Sequence, residues 1–228
     1  MERETALQTM NRGVVDCRDC PRLVDWRERV ARNRVRRFHD QVYWGRPVPG
    51  FGDPEARLLV VGLAPAAHGA NRTGRKQHRD DSGSFLMKAL HEAGFANRPS
   101  SDASDDGLAL HDAYVTSAVR CAPPDNRPSL EEARACARFL HEEIAILQPQ
   151  VVVALGRFAF DAVRRELKER GLETSSWVFG HGAVAEAGGM TVIASYHPSR
   201  QNTQTGRLTP EMLGAIFASA RTLLSDKR

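Results

Sequence analysis

Apolar residues in this chain gather into four short, nearly continuous runs, at residues 58–63, 114–119, 151–155 and 191–196. Runs of this length, without polar alternation, read as strands buried on both faces of a parallel sheet. Between them the period becomes helical. Pro21 follows Cys20 and opens a helix through Leu23, Trp26 and Val30. Phe85, Leu86, Ala89 and Leu90 share one face of a helix over 83–93. Ser129-Leu-Glu-Glu132 is a capping box that starts a helix running to about Leu147. Gly156 and Arg157 start another, to about Arg170, and Thr209-Pro210 supplies the N-cap and first position of a last helix, to about Leu224. Strands alternating with helices predict the α/β class. The expectation is a three-layer α/β/α arrangement with a central four-stranded parallel sheet and right-handed crossovers. With no repeat, low-complexity tract or linker, residues 1–228 read as a single domain.

The first run ends at Gly62 and Pro65, and about twenty residues without hydrophobic period follow, up to Ser84. Irregular loops of that length are usually functional. In open α/β sheets ligands sit outside the carboxyl ends of the strands, where this loop begins. The second run delivers Arg120-Cys-Ala-Pro-Pro124, and the fourth delivers His197-Pro-Ser-Arg-Gln-Asn202. Residues 42–54 and 97–112 read as loops.

Charge adds a direction. Net charge is +4 and the pI about 9.1, compatible with nucleic acid and no more. Between Arg22 and Arg46 stand eight arginines against Asp25, Glu28 and Asp40, with Phe38, Tyr43 and Trp44 interleaved. A basic segment with aromatics is one footprint of a polyanion binder; a solvated helix face followed by a loop is the other reading. No apolar run approaches the ~18–20 residues of a membrane span. The N-terminus, MERETALQTMNR, lacks the apolar stretch of a secretory signal, so a cytoplasmic protein without membrane contact is expected.

Cys17 and Cys20 form a C-x-x-C pair ahead of the first strand, Cys121 lies just past the second run, and Cys136 falls in the second turn of the capped helix. Disulfides are not expected in the cytoplasm, and a thioredoxin-like pair sits at a strand end instead. Four thiolates can hold Zn²⁺ or a [4Fe–4S] cluster. The fourteen residues between Cys121 and Cys136 suit a bulkier cluster better than a tight zinc knuckle, and four unrelated buried thiols are the third reading. A metal there pins the N-terminal segment to the second strand and the long helix.

Three stretches carry a resemblance: GLAPAAHGANRTG at 62–74, RCAPPDNRP at 120–128 and SYHPSRQNTQTGR at 195–207. Together with the cysteine spacing, PGFGDPEAR before the first strand and VVVALGR at the third, they resemble the uracil-DNA glycosylase superfamily. The branch is its iron–sulfur family 5, or type B. The resemblance implies a monofunctional, hydrolytic DNA glycosylase acting in base excision repair on uracil or another deaminated or modified base. It implies a [4Fe–4S] cluster on Cys17, Cys20, Cys121 and Cys136, and a DNA partner. A monomer is expected. By the family pattern His197 stabilises negative charge on the leaving base, Asp80 acts through water, and Asn126 lies near the pocket. Gly62, Ala64, Pro65, Ala66, His68, Asn71, Gln77 and His78 line the base pocket, and Pro198, Ser199, Arg200, Gln201 and Asn202 enter the minor groove.

One motif departs from the pattern. Type B members read approximately R-P-F-T-G-D-x-S-G where this chain has Arg75-Lys-Gln-His-Arg-Asp80-Asp-Ser-Gly83. Gln77 stands where a stacking phenylalanine is expected, and a held base needs a π face or apolar wall. The departure at Gln77-His78-Arg79 raises a second reading: a protein of glycosylase fold that binds DNA or a modified base with little turnover.

Overall fold

The strand residues sort by parity. Leu59, Val61, Tyr114, Val152, Ala154, Val192 and Ala194 belong to one core; Leu58, Val60, Ala113, Val115, Val151, Val153 and Ile193 belong to another. A strand turns successive side chains to opposite faces, so one sheet separates the two cores. The computed structural model describes residues 1–75, 81–101 and 106–226. In it the predicted runs become β2 (Leu58–Gly62), β3 (Ala113–Ser117), β4 (Val151–Leu155) and β6 (Met190–Ser195). They lie side by side and parallel, in the order β3-β2-β4-β6.

The four-stranded expectation needs one correction. Among the described residues the sheet has six strands, because β1 (Phe51–Gly52) pairs antiparallel with β3 and β5 (Val184–Ala187) pairs antiparallel with β6. Neither has an apolar run to betray it. β1 lies inside a stretch read as loop, and β5 alternates exposed and half-buried residues, as an edge strand does.

Helices cover both faces, as crossovers between parallel strands require. On one side lie α1 (Glu2–Asp16), α2 (Pro21–Arg32), α5 (Leu130–Leu147) and α6 (Arg157–Glu169). On the other lie α4 (Asp81–Glu92) and α8 (Pro210–Asp226). The sequence pattern had not flagged α1. Its buried stripe is only Leu7, Met10 and Val14, packed against α5.

Two polar devices fix the first layer. Ser129 Oγ accepts from the Glu132 N–H at 3.2 Å while the Glu132 carboxylate accepts from the Ser129 N–H at 2.7 Å, so the capping box is formed. Arg22 then forks onto both oxygens of Glu132 at 2.7 Å, docking α2 on the start of α5. Deeper, Arg120 and Glu143 are 1 % and 0 % exposed at the side chain and bonded at 2.9 and 2.6 Å, with Thr116 beside them. Removing one partner of such a pair costs about 3–5 kcal/mol, because it strands the other charge.

Candidate active site

Because β3, β2, β4 and β6 run parallel in one register, their carboxyl ends open on the same edge: Gly62 pairs with Ser117, and Leu155 with Ser195. The three sequence motifs and the glycine after β4 leave the sheet there. The topology therefore gathers stretches separated by more than a hundred residues in the chain.

His197 follows β6 by two residues, partly exposed, between half-buried Tyr196 and buried Pro198. The Asn202 side chain donates to the His197 carbonyl at 2.8 Å. Ser199 caps a short helix, α7 (Arg200–Gln204), its Oγ accepting from the Asn202 N–H at 3.4 Å. The turn read as a loop is thus closed on itself. Asn202 is spent on holding the histidine, while Arg200 and Gln201 stay exposed.

The other clamp is Gly156, just after β4. Its φ of +91° is a left-handed conformation that favours glycine. Its N–H donates to the Ser195 carbonyl at 2.7 Å. A Cβ at this position would stand 3.0 Å from the His197 Cβ. The sequence reading took Gly156 only as a helix start; a glycine directly after a buried strand was the available signal. Desolvation pushes the His197 pKa down to about 4, so the ring is neutral near pH 7 and carries one N–H donor.

The first motif leaves β2 through buried Gly62, partly exposed Ala64, buried Pro65 and partly exposed Ala66. His68 Nδ1 lies 3.1 Å from the Tyr43 hydroxyl, and burial, with Arg72 nearby, lowers its pKa. Tyr43 is 7 % exposed, so it packs inward beside His68 and not on an outward basic face. The backbone ties the segments together: the Trp44 N–H donates to the Arg72 carbonyl at 2.8 Å and the Gly45 N–H to the Asn71 carbonyl at 3.0 Å. Asn71, in the short helix α3 (Ala70–Thr73), is fully buried, and its amide donates to the Arg27 and Ala67 carbonyls at 3.3 and 3.4 Å. It holds α3 against α2. Asn126 sits exposed with φ of +55° in a turn over Pro124–Asn126. Gln77, His78 and Asp80 lie outside the described residues.

The eight-arginine segment is divided. Arg27 turns inward, Arg22 pairs with Glu132 at the surface, Arg29 pairs with Asp25, and Arg32, Arg34, Arg36, Arg37 and Arg46 remain exposed, as does Trp44. A groove between α4 and α7, edged by Lys88 and Arg200 and floored by Phe85, adds positive charge near the His197 turn. A second groove, about 1250 Å³, runs between α1 and α5 and contains none of the motif residues.

All four cysteines are free thiols that belong to, or pack against, the same core. Cys20 is pushed up to about 11 by burial, reinforced by Cys136 and Cys17, and burial raises Cys121 to about 12 against the pull of Arg27. Arg27 donates to Cys121 Sγ at 2.8 Å, the Arg120 N–H to Cys136 Sγ at 3.3 Å, and Arg138 to Cys17 Sγ at 3.5 Å. Among the described residues no group of three or more His, Cys, Asp or Glu side chains is close enough to hold a single metal ion. Among them, too, no helix is long and apolar enough to cross a membrane.

Comparison with known proteins agrees with this geometry. The model of the family described as Uracil DNA glycosylase superfamily matches residues 49–221. A type-5 uracil-DNA glycosylase of Thermus thermophilus is 53 % identical over 98 % of this chain and 99 % of its own length. One of Mycobacterium leprae is 48 % identical over 96 % of both chains. A type-4 uracil-DNA glycosylase of Archaeoglobus fulgidus is 32 % identical over 67 % of this chain and 70 % of its own.

Proposed function

The chain belongs to the uracil-DNA glycosylase superfamily, and from that premise we propose that it excises uracil from DNA as a monofunctional glycosylase of the type-5 kind. The observation that carries the proposal is His197: neutral, anchored through Asn202, and set against Gly156 at the carboxyl edge of the sheet.

A base stacked in a duplex is out of reach, so it is extruded into the site. When the bond between N1 and the sugar C1′ breaks, its electron pair leaves with the base, and negative charge spreads onto O2. Water adds at C1′ and loses a proton, leaving an abasic site. A neutral imidazole N–H aimed at O2 strengthens its hydrogen bond as that charge grows, and such a preorganised donor is worth about 10²–10³ in rate. Asp80, by its motif position, faces the cationic sugar and orients the water, as carboxylates do in sugar hydrolysis. Asn126 approaches the base from the second motif. Gly62, Ala64, Pro65, Ala66 and His68 form the pocket wall, with Asn71 behind it and Gln77 and His78 closing it. Pro198, Ser199, Arg200, Gln201 and Asn202 contact the DNA, and the Asn202 amide also holds their turn. The chain acts as one domain and as a monomer in the cytoplasm.

Under this reading Cys17, Cys20, Cys121 and Cys136 hold a [4Fe–4S] cluster. Four free thiols in one core, with donors directed at three of them, support it. When bound, the cluster supplies a covalent clamp between α2, the end of β3 and α5.

Single-turnover release from duplexes labelled at uracil, hypoxanthine and other modified bases tests the proposal. Abasic product from uracil is expected. Binding of these duplexes with no abasic product from any of them would mean the non-catalytic reading.

A further inference from the structure

Arg27 is 2 % exposed. Its NH1 donates to Cys121 Sγ at 2.8 Å, and NH1 and NH2 both reach the Cys17 carbonyl at 3.3 Å. Its Nε has no acceptor, and no carboxylate pairs with it among the described residues. Arg120, equally buried, shows the ordinary solution: both its terminal nitrogens are met by Glu143. A guanidinium keeps its proton in a protein, and a buried charge is tolerated when an opposite charge faces it. The neighbouring acids are committed elsewhere: Glu132 to Arg22, Glu28 to Arg18, and Asp19 to Arg138. What faces the Arg27 fork is the Cys121 sulfur and the neutral Cys17 carbonyl.

We propose that Arg27 is the internal counter-ion of an anionic metal–thiolate centre on Cys17, Cys20, Cys121 and Cys136. The inference rests on the cluster reading above. Four thiolates outweigh the positive charge of the iron–sulfur core, so the assembled centre is a net anion. Arg27 supplies the opposite charge from the protein side and donates to one ligand sulfur. Net charge and hydrogen bonds to sulfur set the potential of such a centre. An added electron increases the negative charge, so a fixed cation in contact favours the reduced form and strengthens retention of the metal. Arg138, which also touches Cys17, is half exposed and solvent-screened, so its share is smaller.

The experiment uses the whole protein purified without oxygen, with iron and acid-labile sulfide measured per chain. Three variants separate charge from bonding: Arg27→Lys keeps the charge, Arg27→Gln keeps a donor without charge, and Arg27→Met keeps neither. Reduction is followed with dithionite in a spectroelectrochemical cell, and metal loss with an excess of chelator. Arg27→Gln and Arg27→Met are expected to bind the electron at least tenfold more weakly, about 59 mV more negative for a one-electron couple. They are also expected to lose metal at least tenfold faster, with Arg27→Lys close to the parent. Should Arg27→Met fail to fold, Gln against Lys decides the matter. Parental potential and release rate in Arg27→Gln overturn the proposal. A parent holding one zinc and no iron refutes the cluster reading instead. The counter-ion role is then judged on zinc release, which faster loss from Arg27→Gln supports and equal rates overturn.

Discussion

Gly156 packs tightly on His197: a Cβ on the glycine would lie 3.0 Å from the histidine's own Cβ, close enough that one of them must shift by a few tenths of an ångström. The backbone at Gly156, with φ of +91°, also disfavours any side chain. Gly156→Ala therefore displaces the His197 turn. Misplacing a reacting group by about 1 Å costs up to about 10²-fold. The expected result is a ten- to hundredfold slower single-turnover release of uracil with DNA affinity near parental. A parental rate would show that the turn yields freely.

The protonation state of His197 makes a second prediction. Folding lowers its pKa from 6.5 to about 4. Between those values the unfolded chain binds a proton that the folded chain refuses, so this contribution to stability falls as pH drops from 6.5 to about 4 and then levels. His68 and His181, also shifted down by burial, add the same sign. Cleavage should show no histidine limb at pH 6.5 and should fail only toward pH 4. His197→Ala should cost about 10²-fold at neutral pH. Titrating the His197 ring by NMR checks the assignment, and a midpoint near 6.5 would refute it.

The α2–α5 joint predicts acid sensitivity. Burial works against the Glu132 carboxylate, yet the Arg22 fork and the Ser129 N–H hold its pKa below the usual carboxylate value. Stability from this group is present above pH 4.5 and is lost as pH falls through its lowered value. Glu132→Ala removes the cap and the ion pair together, for an expected loss of about 1–3 kcal/mol. Urea melts at pH 7 measure it, and a change under about 0.5 kcal/mol, the ordinary scale of a surface substitution, would contradict the joint.

DNA binding should be strongly salt-dependent, since each neutralised phosphate releases counterions. Lys88→Ala and Arg200→Ala, at the two sides of the α4–α7 groove, should weaken binding regardless of sequence and each flatten the salt slope by about one contact. A slope unchanged in both variants would place the DNA elsewhere.

The altered first motif predicts specificity. Gln77 offers a base less stacking surface than an aromatic ring. Gln77→Phe should raise uracil release relative to the other bases of the panel, and Asp80→Ala should slow release of every base. If Gln77→Phe leaves the order of bases unchanged, the pocket wall lies outside this segment. If Asp80→Ala leaves every rate intact, its role at the sugar is lost.

Much of the fold was legible because burial on both faces writes itself into sequence. Val151–Leu155 and Leu130–Leu147 fall where the apolar run and the capping box put them. β5 and α1 were hidden by the opposite circumstance: one is an edge strand of mixed exposure, and the other buries three residues in four turns. At the site, His197 was legible as a strand-end histidine in a Pro-bearing turn. The places of Gly156 and Tyr43 were not legible, because both are close approaches between segments distant in the chain. Composition likewise grouped Arg27 with its solvent-facing neighbours; only the packing of α2 on the end of β3 shows that it points inward.

The spacing of the cysteines sets an order on the birth of the molecule. Cys17 and Cys20 are made early, but Cys136 follows two of the four central strands, β2 and β3, and precedes the other two. Until then Leu7, Met10, Val14 and Leu23 have no α5 to pack on. Two helices are therefore made well before the helix they pack on, and the layer they form closes only in the second half of translation.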